Sequence, residues 1–178
     1  MSTQALSAEQ RAGRVRLLVL DVDGVLTDGR LYFGAQGEVL KVFDVRDGHG
    51  IKMLLANGVD VAWLSARSSD IVAARARELG VVRVLQGRSD KSAAFQALLA
   101  ETMVGTSDTG YMGDDLPDVP AMRLAGFAAT VANGCDAAKD AAHWVTAQHG
   151  GRGAVRALAE FILHAKGIHL ESAAMARG

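Results

Sequence analysis

Two carboxylates one residue apart, Asp21 and Asp23, follow four apolar residues, Leu17 to Leu20, and lead into Gly24. An unbroken apolar run reads as a buried strand covered on both faces. Ligands of open α/β sheets bind beyond the carboxyl ends of the strands. Side chains alternate along a strand, so Asp21 and Asp23 begin on one side and Val22 on the other. Like charges that close are costly unless a cation or a shared proton relieves them. Asp-x-Asp-Gly is also an ordinary turn sequence, and this stretch alone leaves both readings open. Further polar groups stand in similar places. Ser65 follows directly on an apolar run, and Asp114, Asp115 and Asp118 come just after Gly110-Tyr111-Met112-Gly113. Lys91 stands at the start of a helical pattern, where the helix dipole disfavours a cation. That placement suits a lysine kept there to meet an anion.

The elements that must carry these groups alternate in kind. Strands are expected over 16–22, 59–64, 81–85, 110–112, 127–131 and 144–145. Helices are expected over 51–56, with Asp47 as its cap, and over 68–79, 90–101, 117–125, 135–142 and 154–166. Gly48 and Gly50 are poor helix formers in the first turn of a helix, and they make sense where something approaches the backbone closely. Residues 106–109 read as a polar loop. Ser7-Ala8-Glu9-Gln10 fits a capping box, with a short helix or a frayed arm as the alternatives. A tail follows from about 167. This alternation predicts an α/β fold, a Rossmann-like parallel sheet with helices on both faces, in a single domain over 1–178. An insertion at about 30–43 reads as a β-hairpin whose strands flank Gly34-Ala35-Gln36-Gly37. It carries Leu31, Tyr32, Phe33, Val39, Leu40, Val42 and Phe43 on both faces. A small domain rarely covers both, so the hairpin is expected to pack on other subunits.

Composition narrows the classes. With 178 residues, 49% hydrophobic content and two prolines, the chain can bury a sizeable core and is not a disordered polymer. A net charge of -1 does not favour nucleic acid. Cys135 is the single cysteine, so no internal disulfide forms. The first ten residues lack a signal pattern, and no apolar run is long enough to span a membrane. A soluble cytoplasmic protein is the default expectation.

The four groups together resemble the haloacid dehalogenase superfamily. Asp-Val-Asp-Gly at 21–24 looks like its first motif, Ser65 the second, Lys91 the third and Gly-Asp-Asp-x-x-Asp at 113–118 the fourth. The resemblance implies a role for each. Asp21 would attack phosphorus and form an aspartyl-phosphate, and Asp23 would serve as general acid and base. Asp21, the Asp23 carbonyl and Asp114 would hold Mg2+, which favours hard oxygen ligands. Ser65 and Lys91 would grip the phosphoryl oxygens. Asp118 would orient Lys91, and Asp115 would support the metal shell. Helix capping near Pro117 is the plainer alternative for Asp115 and Asp118.

Many members of that superfamily carry a cap domain over the site. Here 41 residues separate Asp23 from Ser65 and 25 separate Ser65 from Lys91, which leaves no room for one. The hairpin, Arg46-Asp47-Gly48-His49-Gly50-Ile51, Ser65-Ala66-Arg67 and Gly150-Gly151-Arg152-Gly153 narrow the likeness to the 3-deoxy-D-manno-octulosonate 8-phosphate phosphatases. That resemblance implies an anionic sugar phosphate as substrate, a step in lipopolysaccharide biosynthesis, and a homotetramer with the hairpins at its centre. The C-terminal segment would reach a neighbouring active site. Arg67 is the first candidate for the substrate carboxylate, since a guanidinium binds one in bidentate fashion. Arg46 and Arg152 are further candidates, with a surface or helix-end role as the alternative, and Thr27 and Asp28 could shape the pocket mouth or serve a turn. Phosphatases of nine-carbon sialic-type sugar acids and a non-catalytic assembly module are the competing readings.

Overall fold

The computed structural model describes residues 5–169 and Glu171, so most of the expected C-terminal tail lies outside the described residues. Along the chain the strands are β1 (Leu17–Leu20), β2 (Tyr32–Gly34), β3 (Gly37–Leu40) and β4 (Asp60–Leu64). β5 (Arg83–Leu85), β6 (Thr109–Met112), β7 (Phe127–Thr130) and β8 (Trp144–Val145) follow. The α-helices are α1 (Ala8–Ala12), α2 (Val45–Ala56), α3 (Asp70–Leu79) and α4 (Lys91–Thr102), then α5 (Val119–Leu124), α6 (Asp136–Ala141) and α7 (Ala154–Ala165).

Six strands form one parallel sheet in the order β5-β4-β1-β6-β7-β8. The chain winds outward from β1 to one edge, then crosses back and winds to the other. The switch therefore falls beside β1, where Leu20 lies level with Trp63 of β4 and Met112 of β6. Alternation along β1 builds two cores. Leu18 and Leu20 face α2, α3 and α7 with Trp63, Ile51 and Leu158, while Leu17 and Val19 face α4, α5 and α6 with Phe95, Tyr111 and Met122. Each fully buried Leu or Phe contributes roughly 1.5–3 kcal/mol, so both faces are needed to hold a strand as apolar as β1.

Several local expectations shift. The box at Ser7 forms: its hydroxyl accepts from Gln10 N, and Gln10 answers to the Ser7 amide, starting a five-residue helix. β1 stops at Leu20 because the chain then turns. Helix α2 begins earlier than expected, capped by Asp44, whose side chain accepts from Arg46 N at 2.8 Å. Asp47 lies inside its first turn instead. Its carboxylate reaches across to α7 and accepts from Arg156 N at 2.8 Å and Gly153 N at 3.2 Å. A β-carbon on Gly50 would stand 2.9 Å from Arg156 Cα, so the close approach is by α7. Residues Thr106–Asp108 form a 3-10 turn rather than a plain loop.

The hairpin is tighter than expected. Gly34 pairs with Gly37 across a two-residue turn, and the register shifts between Tyr32 and Phe33. Leu31, Phe33, Val39, Leu40 and Val42 are all about half exposed or more, so the hairpin stands away from the core.

Candidate active site

Beyond the carboxyl ends of β1, β4 and β6 lies a cleft of about 280 Å³ lined by Asp21, Asp23, Ser65, Arg67, Lys91, Asp114, Asp115 and Asp118. Asp21 still follows the strand, its N–H donating to Met112 O at 3.0 Å. The backbone then folds into one wide turn over Val22–Leu26. Gly24 takes φ +100°, and a β-carbon there would fall 2.1 Å from Asp114 Oδ2. Only glycine lets the first loop and the fourth motif meet at this distance.

Thr27 is buried and serves that loop. Its hydroxyl accepts from Gly29 N at 3.2 Å and Gly24 N at 3.4 Å and lies 3.4 Å from Val22 O. The turn role is therefore the one its contacts describe.

At the centre Lys91 Nζ lies 2.7 Å from Asp21 Oδ1 and 2.6 Å from Asp118 Oδ1. The lysine reaches this point from the first turn of α4, which Asp90 caps through Ala93 N at 2.9 Å. Asp118 is the hub of the acidic loop. Its Oδ1 also accepts from Tyr111 OH at 2.9 Å, and its Oδ2 accepts from the amides of Asp114 and Asp115 at 3.2 and 3.3 Å. Asp115 caps the short turn Leu116–Asp118, accepting from Leu116 N at 2.8 Å. Asp115 is therefore a cap, while Asp118 both caps and pairs.

Burial pushes the Asp21 carboxyl well above its ordinary value; Asp118 adds to this and Lys91 opposes it. Burial and Asp118 likewise raise Asp114 to about 6. Burial alone would lower Lys91, but Asp21 and Asp118 outweigh it and hold the ammonium above its usual range. Burial, then Asp118, keeps the Tyr111 phenol far above its usual value, a fixed donor. A single lysine leaves this cluster short of positive charge. One carboxylate oxygen from each of Asp21, Asp114 and Asp118 lies within 4.8 Å of the other two. Those of Asp118 are already engaged, so Asp21 and Asp114 are the side chains with oxygen left for a divalent cation. All are hard ligands, which fits Mg2+ in donor chemistry.

Asp23 points its carboxylate elsewhere. Oδ1 pairs with Lys41, and Oδ2 lies 3.4 Å from Ser65 Oγ. What it could still offer a cation is its main-chain carbonyl. Ser65 is buried at the end of β4, and its Oγ also accepts from Arg67 N at 3.1 Å. Arg67 lines the cleft, its guanidinium 5.9 Å above the Phe33 ring and 3.5 Å from Glu38 Oε1.

Arg46 and Arg152 are not brought into the cleft of this chain. Arg46 binds its own helix cap, Asp44, at 2.7 Å and the Arg152 carbonyl at 3.3 Å, and both side chains face solvent. Lys41, Glu38 and Tyr111 are the residues sequence reasoning missed. The one signal was a lone lysine in the apolar stretch 39–43.

A parallel α/β sheet with an acid–lysine cluster in the cleft beyond its carboxyl edge is the arrangement of a hydrolase that works on an anionic group. Residues 50–158 match the model of the haloacid dehalogenase-like hydrolases, and the chain belongs to that family. Its place there is among the phosphoric monoester hydrolases. The particular relatives are consistent. The 3-deoxy-D-manno-octulosonate 8-phosphate phosphatase KdsC of Yersinia pestis is 45% identical over 157 residues, 88% of this chain and 84% of that protein. A crystal structure of a probable YrbI family phosphatase from Pseudomonas syringae superimposes with a TM-score of 0.90 at 47% identity, covering 93% of this chain and 94% of that one. The 3-deoxy-D-manno-octulosonate 8-phosphate phosphatase of Moraxella catarrhalis, solved with magnesium, phosphate and KDO, has a TM-score of 0.88 at 39% identity, with 90% of this chain and 92% of that one covered.

Proposed function

We propose that the chain hydrolyses 3-deoxy-D-manno-octulosonate 8-phosphate to the free sugar acid and phosphate, with Mg2+, in lipopolysaccharide biosynthesis in the cytoplasm. The observation that carries this reading is Lys91 set between Asp21 and Asp118 beside Asp114, in the cleft that Arg67 also lines. The names of the relatives supply the substrate.

Asp21 attacks phosphorus as the ester P–O bond breaks and the electron pair leaves on the sugar oxygen. Asp23 gives that oxygen a proton. Asp23 then takes a proton from the water that cleaves the aspartyl-phosphate, restoring the Asp21 carboxylate. Lys91 and Ser65 bind the phosphoryl oxygens where charge gathers. A magnesium ion held by Asp21, Asp114 and the Asp23 carbonyl, with Asp115 in support, supplies positive charge for the phosphate dianion. Arg67 binds the sugar carboxylate. The exposed hairpin packs in a homotetramer, which brings Arg46 or Arg152 of a neighbouring subunit within reach of the cleft.

Phosphate release from a panel of sugar phosphates, with magnesium and with chelator, tests this. The eight-carbon acid phosphate should be preferred by at least ~10-fold in kcat/KM, the scale of one lost charged hydrogen bond. Equal rates on all substrates would remove the specific claim. Preference for a nine-carbon acid phosphate would reassign it.

A further inference from the structure

The hairpin does more than stand apart from the core. Lys41, directly after β3, is buried, with 1% of its side chain exposed. It pairs with Asp23 Oδ1 on one side and with Glu38 Oε1 at 3.0 Å on the other. Glu38 also reaches Arg67 at 3.5 Å. A buried ammonium without partners is expensive, so this lysine is held by its two carboxylates and holds them in turn.

We infer that Lys41 is a positioning residue for the acid–base step, fixing the rotamer of Asp23 from the foot of the hairpin. The inference rests on the role proposed above for Asp23. With Oδ1 occupied by an ammonium that has no lone pair to receive a proton, Oδ2 is the oxygen left to exchange one with substrate. That oxygen faces Ser65, at the mouth of β4. The hairpin thereby supplies part of the catalytic geometry as well as an apolar surface.

Leaving-group dependence tests this. A 4-nitrophenyl phosphate expels a stable phenolate and needs little proton donation, whereas an alkyl phosphate must have its alkoxide protonated. General acid help is worth about 10²–10⁴-fold. Lys41→Met should lower kcat on an alkyl phosphate by at least ~10-fold more than on the nitrophenyl ester. Lys41→Arg, which keeps the charge, should recover part of the difference, and Glu38→Gln should show a weaker loss of the same kind. Urea unfolding of each variant confirms that it is folded. If Lys41→Met does not fold, Glu38→Gln and Lys41→Arg decide the matter by the same ratio. Equal losses on both esters overturn the inference. Asp23→Asn runs beside them: selectivity in Asp23→Asn without selectivity in the lysine variants sinks this inference alone, and its absence in both sinks the acid–base reading too.

Discussion

Lys91 and Asp118 form an ion pair at 2.6 Å with 5% and 1% of their side chains exposed. Tyr111 and two backbone amides complete the carboxylate. Removing one partner of such a pair leaves a buried charge uncompensated and costs about 3–5 kcal/mol. Lys91→Met should therefore lose turnover and also unfold at lower urea. Asp118→Asn keeps shape and some acceptors, so it should cost less stability while still lowering kcat, because Lys91 loses its anchor. A Lys91→Met variant as stable as the parent would contradict this account.

Gly24 and Asp114 meet where a β-carbon would stand 2.1 Å from Oδ2. Gly24→Ala adds a methyl at φ +100° and must displace the carboxylate or the loop. The expected result is a fall in kcat of more than ~100-fold, the effect of misplacing a catalytic group by about 1 Å. The magnesium concentration for half-maximal activity should rise as well. An active variant with unchanged magnesium dependence would show that the loop tolerates the shift.

His143 is set to sense acid. Its Nδ1 accepts the Ala128 N–H at 2.8 Å, which requires a neutral ring protonated on Nε2. Burial, and then Arg11, lower its pKa. The unfolded chain takes up this proton near pH 6.5 and the folded chain only at lower pH. The stability contributed by His143 is therefore present above about pH 6.5 and lost as pH falls through the folded value. Unfolding midpoints of the parent and of His143→Gln should converge as pH drops from 7.5 to 5. Parallel curves would remove His143 as their cause.

The hairpin exposes Phe33 and Val39 at 61% each. Phe33→Glu or Val39→Glu should shift sedimentation toward smaller species if these side chains lie between subunits. A parent protein that sediments as a monomer would defeat the tetramer proposal directly.

Periodicity, glycine and the apolar runs were enough to read the parallel sheet, and the four polar groups at its strand and helix ends carried the likeness to the haloacid dehalogenase superfamily. Both depend on local pattern: β1 is buried on both faces, and its end is where Asp21 must emerge. The individual contacts were not local. Asp47 reads as a helix cap and is one, but for α7 rather than for its own helix, because α2 and α7 pack closely enough for its carboxylate to cross. Arg46 reads as a substrate ligand and is paired with Asp44 and the Arg152 carbonyl. Lys41 reads as a strand residue and ends against Asp23. Side-chain partners separated by many residues depend on how elements pack and on which charges burial forces together. The sequence by itself determined the order of the strands, the chemical groups that follow them and the short spacings, from Asp23 to Ser65 and from Ser65 to Lys91, that leave no room for a cap domain between them. Only the tertiary structure decided which carboxylate each cation meets, since buried charge is tolerated only where the fold supplies its partner.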